Sequence, residues 1–210
     1  MALTSIPTIE LKEGTSIPVI GYGTGTAWFK TKGDSSVNCE LAQLTKTAIR
    51  LGYHQLDSPS YLFHQPFFAK SPTELQAAWA AMEESQLEPI SQSAKIPPAI
   101  NQIEYHSYLQ QGSLVPYHEK KEIATTSYGP LTPATRAKSG PLDRRYSSRW
   151  SLDRGTVAIT TSAKESRLSV YLNVLTFKLT PEEVDEISRI GDQKHYRGFW
   201  SDKFAADDRS

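Results

Sequence analysis

The alternation of apolar and polar positions changes period several times along the chain. Residues 8–11 and 17–19 alternate at a period of two and flank Lys12-Glu13-Gly14-Thr15, which predicts a short hairpin with a glycine in its turn. Val19-Ile20-Gly21-Tyr22-Gly23-Thr24 predicts a strand running out into a glycine-rich loop. Over 38–51 the period becomes helical: Leu41, Leu44, Ala48 and Leu51 fall on one face, and Gly52 stops the helix. Residues 54–57 predict a short strand with the Asp57 carboxylate at its end. A further strand is predicted at 60–64. A helix follows at 71–84, opened by Ser71-Pro72-Thr73-Glu74: a cap, a proline in the first turn and a glutamate two positions on. The second half predicts strands at 99–105, 123–128 and 156–161 and helices at 114–121, 164–172 and 180–190, the last capped by Thr180-Pro181-Glu182-Glu183. Residues 130–150 are rich in Pro, Gly, Ser and Arg and predict a loop. The tail from 191 to 210 carries Phe199, Trp200 and Phe204 in an irregular context.

Strand, helix, strand, helix is the grammar of a parallel sheet with crossovers, so the expected fold is α/β. With 210 residues the expectation is a single domain spanning 1–210. About six strands of the barrel type are predicted, and a closed (β/α)8 barrel needs eight strands and typically about 250 residues. Composition changes this picture little. Hydrophobic residues make up 38% and charged residues 22%, which is globular rather than disordered. Lys plus Arg equals Asp plus Glu at 23 each, so no net field draws the protein to nucleic acid or to an anionic membrane. The single cysteine, Cys39, can form no internal disulfide, and the five histidines show no metal-ligand spacing. A reducing, cytoplasmic location is expected, with no signal peptide in the first fourteen residues and no apolar run of membrane-spanning length. Gly21, Gly23 and Gly25 do not make a dinucleotide fingerprint, because no helix starts close behind them and no acidic partner follows at the right distance.

Five motifs carry the chemistry, in this order: Gly52-Tyr53-His54-Gln55-Leu56-Asp57, Leu62-Phe63-His64-Gln65-Pro66, Asn101-Gln102-Ile103-Glu104-Tyr105-His106, Ser127-Tyr128-Gly129-Pro130-Leu131, and the stretch 159–168 around Thr161-Ser162-Ala163-Lys164-Glu165-Ser166-Arg167. Together they resemble the second, fourth, sixth, seventh and eighth strands of the aldo-keto reductases. Tyr128-Gly129-Pro130-Leu131-Thr132-Pro133 and His195-Tyr196-Arg197-Gly198-Phe199-Trp200 resemble the fungal members in particular.

The resemblance implies a (β/α)8 barrel and transfer of hydride from NADPH to a small aldehyde or ketone. The cofactor carries the hard chemistry and the protein supplies position and a proton. It implies Asp57 and His64 as catalytic positions. Thr24, Gln102, Tyr128, Leu131, Ser162, Lys164 and Arg167 are the implied cofactor positions: Gln102 for the nicotinamide amide, Tyr128 for stacking on the ring, and Ser162, Lys164 and Arg167 for the adenosine 2′-phosphate. It implies no metal, and a monomer is expected. Taken alone, an aspartate at a strand end is more often a turn or cap residue than a catalyst; Gly52-Tyr53 in front of it favours the catalytic reading. Likewise a basic helix start can simply be an exposed surface, and Gln102 or Tyr128 a strand-end or core residue.

The sequence also departs from the family pattern. A tyrosine and a lysine complete the family's catalytic unit, the lysine drawing down a phenol pKa near 10. Only six residues separate Asp57 from His64, and Tyr61 among them reads as part of a strand. Lys70 lies past His64 and has no claim to the lysine's place. The family's third and fifth strands, and the helix expected before the eighth strand between Asp143 and Trp150, are read as lost. Carbonyl reduction is therefore expected to be impaired. The alternatives are a non-catalytic protein binding NADP(H) or a partner, and a mis-spliced, inactive fragment.

Overall fold

The computed structural model describes residues 6–12, 14–24, 39–57, 99–137, 144–201, 204–205 and 207–209. The strand predicted at 60–64 with His64, the helix predicted at 71–84, Tyr61 and Lys70 lie outside the described residues.

An antiparallel hairpin comes first, β1 Thr8–Glu10 and β2 Ser16–Pro18, with Ile9 opposite Ile17 as the alternation predicts. Among the described residues five parallel strands follow: β3 Ile20–Gly23, β4 Leu56–Asp57, β5 Ile100–Glu104, β6 Ala124–Tyr128 and β7 Val157–Thr160. They form one sheet in the order β4-β3-β7-β6-β5. The first of the five thus pairs with the last, Ile20 with Ala158 and Tyr22 with Thr160. That is the pairing by which a (β/α)8 barrel closes, and the sheet is a continuous arc of such a barrel. The hairpin lies at the N-terminal end of the arc: Val19 N–H donates to Pro7 O just ahead of β3, and Lys12 pairs at 3.1 Å with Glu122, just ahead of β6.

Helices pack on the outer face. Among the described residues they are α1 Cys39–Arg50, α2 Leu114–Lys121, α3 Thr132–Thr135, α4 Arg144–Asp153, α5 Glu165–Leu172 and α6 Pro181–Lys194, with a 3-10 turn at Asn173–Thr176. Ile20 and Tyr22 of β3 pack with Ala48 of α1, Tyr53, and Leu168, Tyr171 and Leu172 of α5. A second cluster joins Ile103 and Tyr105 to Leu114 and Val115 of α2, Trp150 of α4 and Val184 of α6. Helix α6 starts on the predicted capping box: the Thr180 hydroxyl accepts from Glu183 N–H, and the Glu183 carboxylate accepts from Thr180 N–H at 2.8 Å.

Three expectations are corrected. Residues 130–150 are not one loop, and the helix read as lost before the last strand is present as α4. Its pattern hides it, because the buried residues are Ser147, Ser148, Arg149, Trp150 and Ser151, with one large apolar side chain among them. Small serines bring this helix close to its neighbours where an apolar stripe would ordinarily do so. The tail also begins later than expected, since α6 runs through Gly191 to Lys194. Gly191 is buried there, and a Cβ would sit inside the carbonyl oxygen of Ser107. The residue read as a break is needed for close approach.

One polar network on the outer face sets an acid limit. His118 of α2 is wholly buried; Asn101 Nδ2 donates to its Nε2, and its Nδ1–H donates to Thr125 Oγ1, both at 2.9 Å. Burial pulls its pKa down to about 4, so the folded ring is neutral where the unfolded ring, near 6.5, takes a proton. The stability it contributes is fully present above pH 6.5 and is lost as pH falls toward 4. At pH 5 the expected loss from this group is about 2 kcal/mol. Urea melts at pH 7 and 5 check this: His118→Gln should show a shallower pH slope than the wild type, and an unchanged slope contradicts the assignment.

Candidate functional site

In a parallel barrel, function gathers at the C-terminal ends of the strands. Strand periodicity decides which side chains reach the inner face there. On β3, Ile20 and Tyr22 face the helices, so Gly21 and Gly23 face inward. A Cβ on Gly21 would meet Ile159 Cδ1 at 2.7 Å and Gln55 Cδ at 3.0 Å, which places both of those on the inner face too. On β5, Ile103 and Tyr105 pack against helices and Gln102 and Glu104 point in. On β6, Thr125 bonds outward to His118 and leaves Thr126 and Tyr128 inside. Gln102 stands opposite Thr126, and Glu104 opposite Tyr128. The inner mouth on this side is therefore polar and aromatic, lined by Gln102, Glu104, Thr126 and Tyr128.

His64 lies outside the described residues; the other residues anticipated from sequence have these places. Thr24 follows β3, and Asp57 ends β4 with its Cα in register with Gly23. Leu131 caps α3, half-buried, and packs against the first core cluster. Thr161 joins the ends of β7 and β3, its hydroxyl donating to Gly23 O at 3.0 Å. Ser162 is buried, and its hydroxyl accepts from Lys164 N–H at 3.0 Å. Lys164 is the extended N-cap of α5, and its own side chain makes no cap hydrogen bond to this eight-residue helix. Arg167 is exposed in its first turn. The strand ends thus bring Gln102 and Tyr128 together on adjacent strands, and Ser162, Lys164 and Arg167 together at one helix start.

Sequence reasoning passed over Glu104 and Phe199. Glu104 is 1% exposed and accepts from His106 Nε2 at 3.0 Å, Gly198 N at 2.7 Å and Phe199 N at 3.2 Å. Phe199 meets Tyr128 edge to face, centroids 5.4 Å apart. A carboxylate inside a five-residue strand was the available signal, since a buried acid needs donors. His106 is also fully buried, with Glu104 rather than solvent as its partner. Burial lowers its pKa and outweighs the pull of Glu104 in the other direction, so its ring is neutral.

The tyrosines bear on proton transfer. Burial pushes Tyr22, Tyr53, Tyr105, Tyr108 and Tyr128 all upward from 10. Each stays a neutral phenol, and none has the lowered pKa that an activated proton donor needs. Among the described residues no group of His, Cys, Asp and Glu could hold a metal ion.

No family model matches this chain. Curated relatives and solved structures do. The chain is 24% identical, over 273 aligned residues, to an NAD/NADP-dependent indole-3-acetaldehyde reductase of Schizosaccharomyces pombe, covering 89% of this chain and 96% of that one. It is 27% identical to an aldo/keto reductase of Synechocystis, over 77% of this chain and 66% of the relative. Its fold matches a Bombyx mori aldo-keto reductase solved in complex with NADP, with a TM-score of 0.70 at 19% identity, over 92% of this chain and 95% of that one.

Over most of its length the chain is similar to aldo-keto reductases, in sequence and in fold. Its arc of parallel strands is the (β/α)8 barrel of these enzymes, incomplete among the described residues. The alignment with the Schizosaccharomyces pombe reductase is longer than the 210 residues of this chain, so it passes over positions of the relative that have no counterpart here. The chain thus reaches nearly the full span of one relative and only 66% of another. No helix of the described residues is long and apolar enough to cross a membrane.

Proposed function

We propose that this chain, a single domain over 1–210, is an NADPH-binding aldo-keto reductase whose carbonyl-reducing activity is impaired. One observation carries the reading: Gln102 and Tyr128 lie on the inner face of neighbouring strands at the C-terminal end of the arc. Gln102 takes the carboxamide of a nicotinamide and Tyr128 its ring. Thr24 and Leu131 flank the cofactor. The 2′-phosphate lies at the start of α5, where the helix N-terminus and the Lys164 and Arg167 cations favour an anion and Ser162 shapes the turn. The start of α5, where the Lys164 side chain makes no cap hydrogen bond, fits that group. Glu165 beside it is an opposing charge, and Thr161 holds Gly23 O, which weakens the preference for NADPH over NADH.

When bound, the cofactor supplies hydride to the carbonyl carbon of a small aldehyde or ketone. This chain's residues have to position the carbonyl and deliver a proton to its oxygen. We assign the surviving catalytic positions to Asp57 and His64. The proton donor is what fails: the pKa of Tyr22, Tyr53, Tyr105, Tyr108 and Tyr128 is pushed up where an activated donor needs it drawn down, and the catalytic tyrosine and lysine of the family have no counterpart in the motifs. Chain length supports internal loss. Forty-two residues, 58–99, separate β4 from β5. At about 31 residues per strand-helix unit, the interval from a second to a sixth strand should hold roughly 110. We further assign the protein to the cytoplasm, as a monomer without nucleic-acid partners; its charge balance and single cysteine support this.

Titration of the purified chain with NADPH, followed by tryptophan fluorescence, tests the first half of this reading. Quenching at micromolar cofactor is expected, and no binding at millimolar cofactor would overturn it. A spectrophotometric assay with an aromatic aldehyde tests the second half: little or no NADPH consumption is expected, and robust turnover refutes the impairment.

A further inference from the structure

The segment after α6 is tied into the strand-end mouth. Glu104 accepts from the amides of Gly198 and Phe199, and Arg136 donates to Gly198 O at 3.0 Å while its guanidinium lies 4.0 Å from the Phe199 ring centre. Phe199 packs on Tyr128 with the rings at 86°, and the Trp200 indole N–H bonds the Tyr128 hydroxyl. The seat is tight: a Cβ on Gly198 would meet Thr132 Cγ2 at 2.7 Å and Glu104 Oε1 at 3.1 Å. It is also strained at both ends. His195 and Trp200 hold φ of 27° and 57°, a region that non-glycine residues occupy at a cost and leave when their anchors are released.

Residues 195–201 therefore make a strap bent against its own backbone preference, with the buried Glu104 carboxylate holding two of its amides. Resting on the reading that Tyr128 is the nicotinamide seat, we propose that Glu104 latches this strap over Tyr128, and that a planar ligand ring stacks there only after Phe199 has moved away. Cofactor binding and strap docking then oppose each other. A ligand that binds only the open arrangement has its affinity reduced by the fraction of molecules that are open.

The test compares NADPH with 2′,5′-ADP, which carries the phosphate half and lacks the nicotinamide, by calorimetry on the full chain. Phe199→Ala should bind NADPH about ten-fold tighter than the wild type, with 2′,5′-ADP affinity unchanged. Glu104→Gln, which keeps the side-chain shape and gives up part of the acceptor, should move the same way. In the wild type, hydrogen exchange at the amides of Gly198 and Phe199 should speed up when NADPH is added and stay constant with 2′,5′-ADP. Equal or weaker NADPH binding by Phe199→Ala, or amides that stay protected with NADPH bound, overturns the latch and leaves the cofactor assignment standing. Binding of neither ligand by any of the three proteins overturns both.

Discussion

Trp150→Ala should lower stability by about 3–5 kcal/mol, the range for truncating a large buried aromatic. For a domain of this size that is a drop in Tm of roughly 6–20 °C. Trp150 is fully buried at the centre of the second core cluster. Its ring lies 5.2 Å from that of Tyr105, the residue after β5, and its indole N–H donates to Ser188 Oγ of α6 at 2.9 Å. It thus ties α4 to a strand and to another helix at once. The serines buried on the same helix, Ser147, Ser148 and Ser151, cannot expand to fill the space. Thermal melts and denaturant midpoints of the two proteins check this. A loss under 1 kcal/mol would mean that α4 is not seated in this core.

Asp153→Ala should cost a comparable 3–5 kcal/mol, through charge rather than volume. Arg149 and Asp153 form a forked pair one turn apart on α4, with Arg149 Nε donating to Asp153 Oδ2 at 2.7 Å and Nη2 to Oδ1; their side chains are 8% and 12% exposed. Arg149 also donates to Val174 O at 3.2 Å, and Leu179 N–H donates to Asp153 at 2.9 Å. The Arg149 bond and the Leu179 amide hold the Asp153 carboxyl below its ordinary pKa, against the opposing effect of burial. Removing the aspartate leaves a guanidinium and an amide buried without their acceptor. The double variant Arg149→Met/Asp153→Leu should recover most of the loss, because an apolar pair of similar volume leaves no charge behind. Equal destabilisation in the single and double variants would point to packing instead.

Much of the fold is legible in the sequence because its elements are locally consistent. Leu114–Lys121 and the capped start of α6 carry their own boundaries, and the short apolar strands between turn signals fix β3, β5, β6 and β7. The arc order is a different matter. No local pattern tells Ile20 that its partner is Ala158; the motif order and the family resemblance supply it. Helix α4 escapes because its buried face is serine, arginine and a single tryptophan, so hydrophobic periodicity has nothing to detect. In the candidate site, Gln102, Tyr128 and Ser162 are readable because each sits in a motif with a fixed place on a strand end. Glu104 sits in the same motif as Gln102, yet its partners are the amides of Gly198 and Phe199, 94 and 95 residues away. Backbone donors leave no trace in side-chain identity, so neither the latch nor its glycine could be read from residue types.

The pairing of β3 with β7 has a consequence for how the chain is made. Thr161 and Gly23, which join the ends of these strands, are 138 residues apart. Closing a loop of that length costs about 4 kcal/mol of chain entropy before any contact repays it. At about 5–20 residues per second, a ribosome needs roughly 7–28 s to deliver the second strand after the first. Through that interval Ile20 and Tyr22 have no sheet neighbour on that side, and the nascent N-terminal half carries an open, apolar strand that a chaperone or an aggregate can capture.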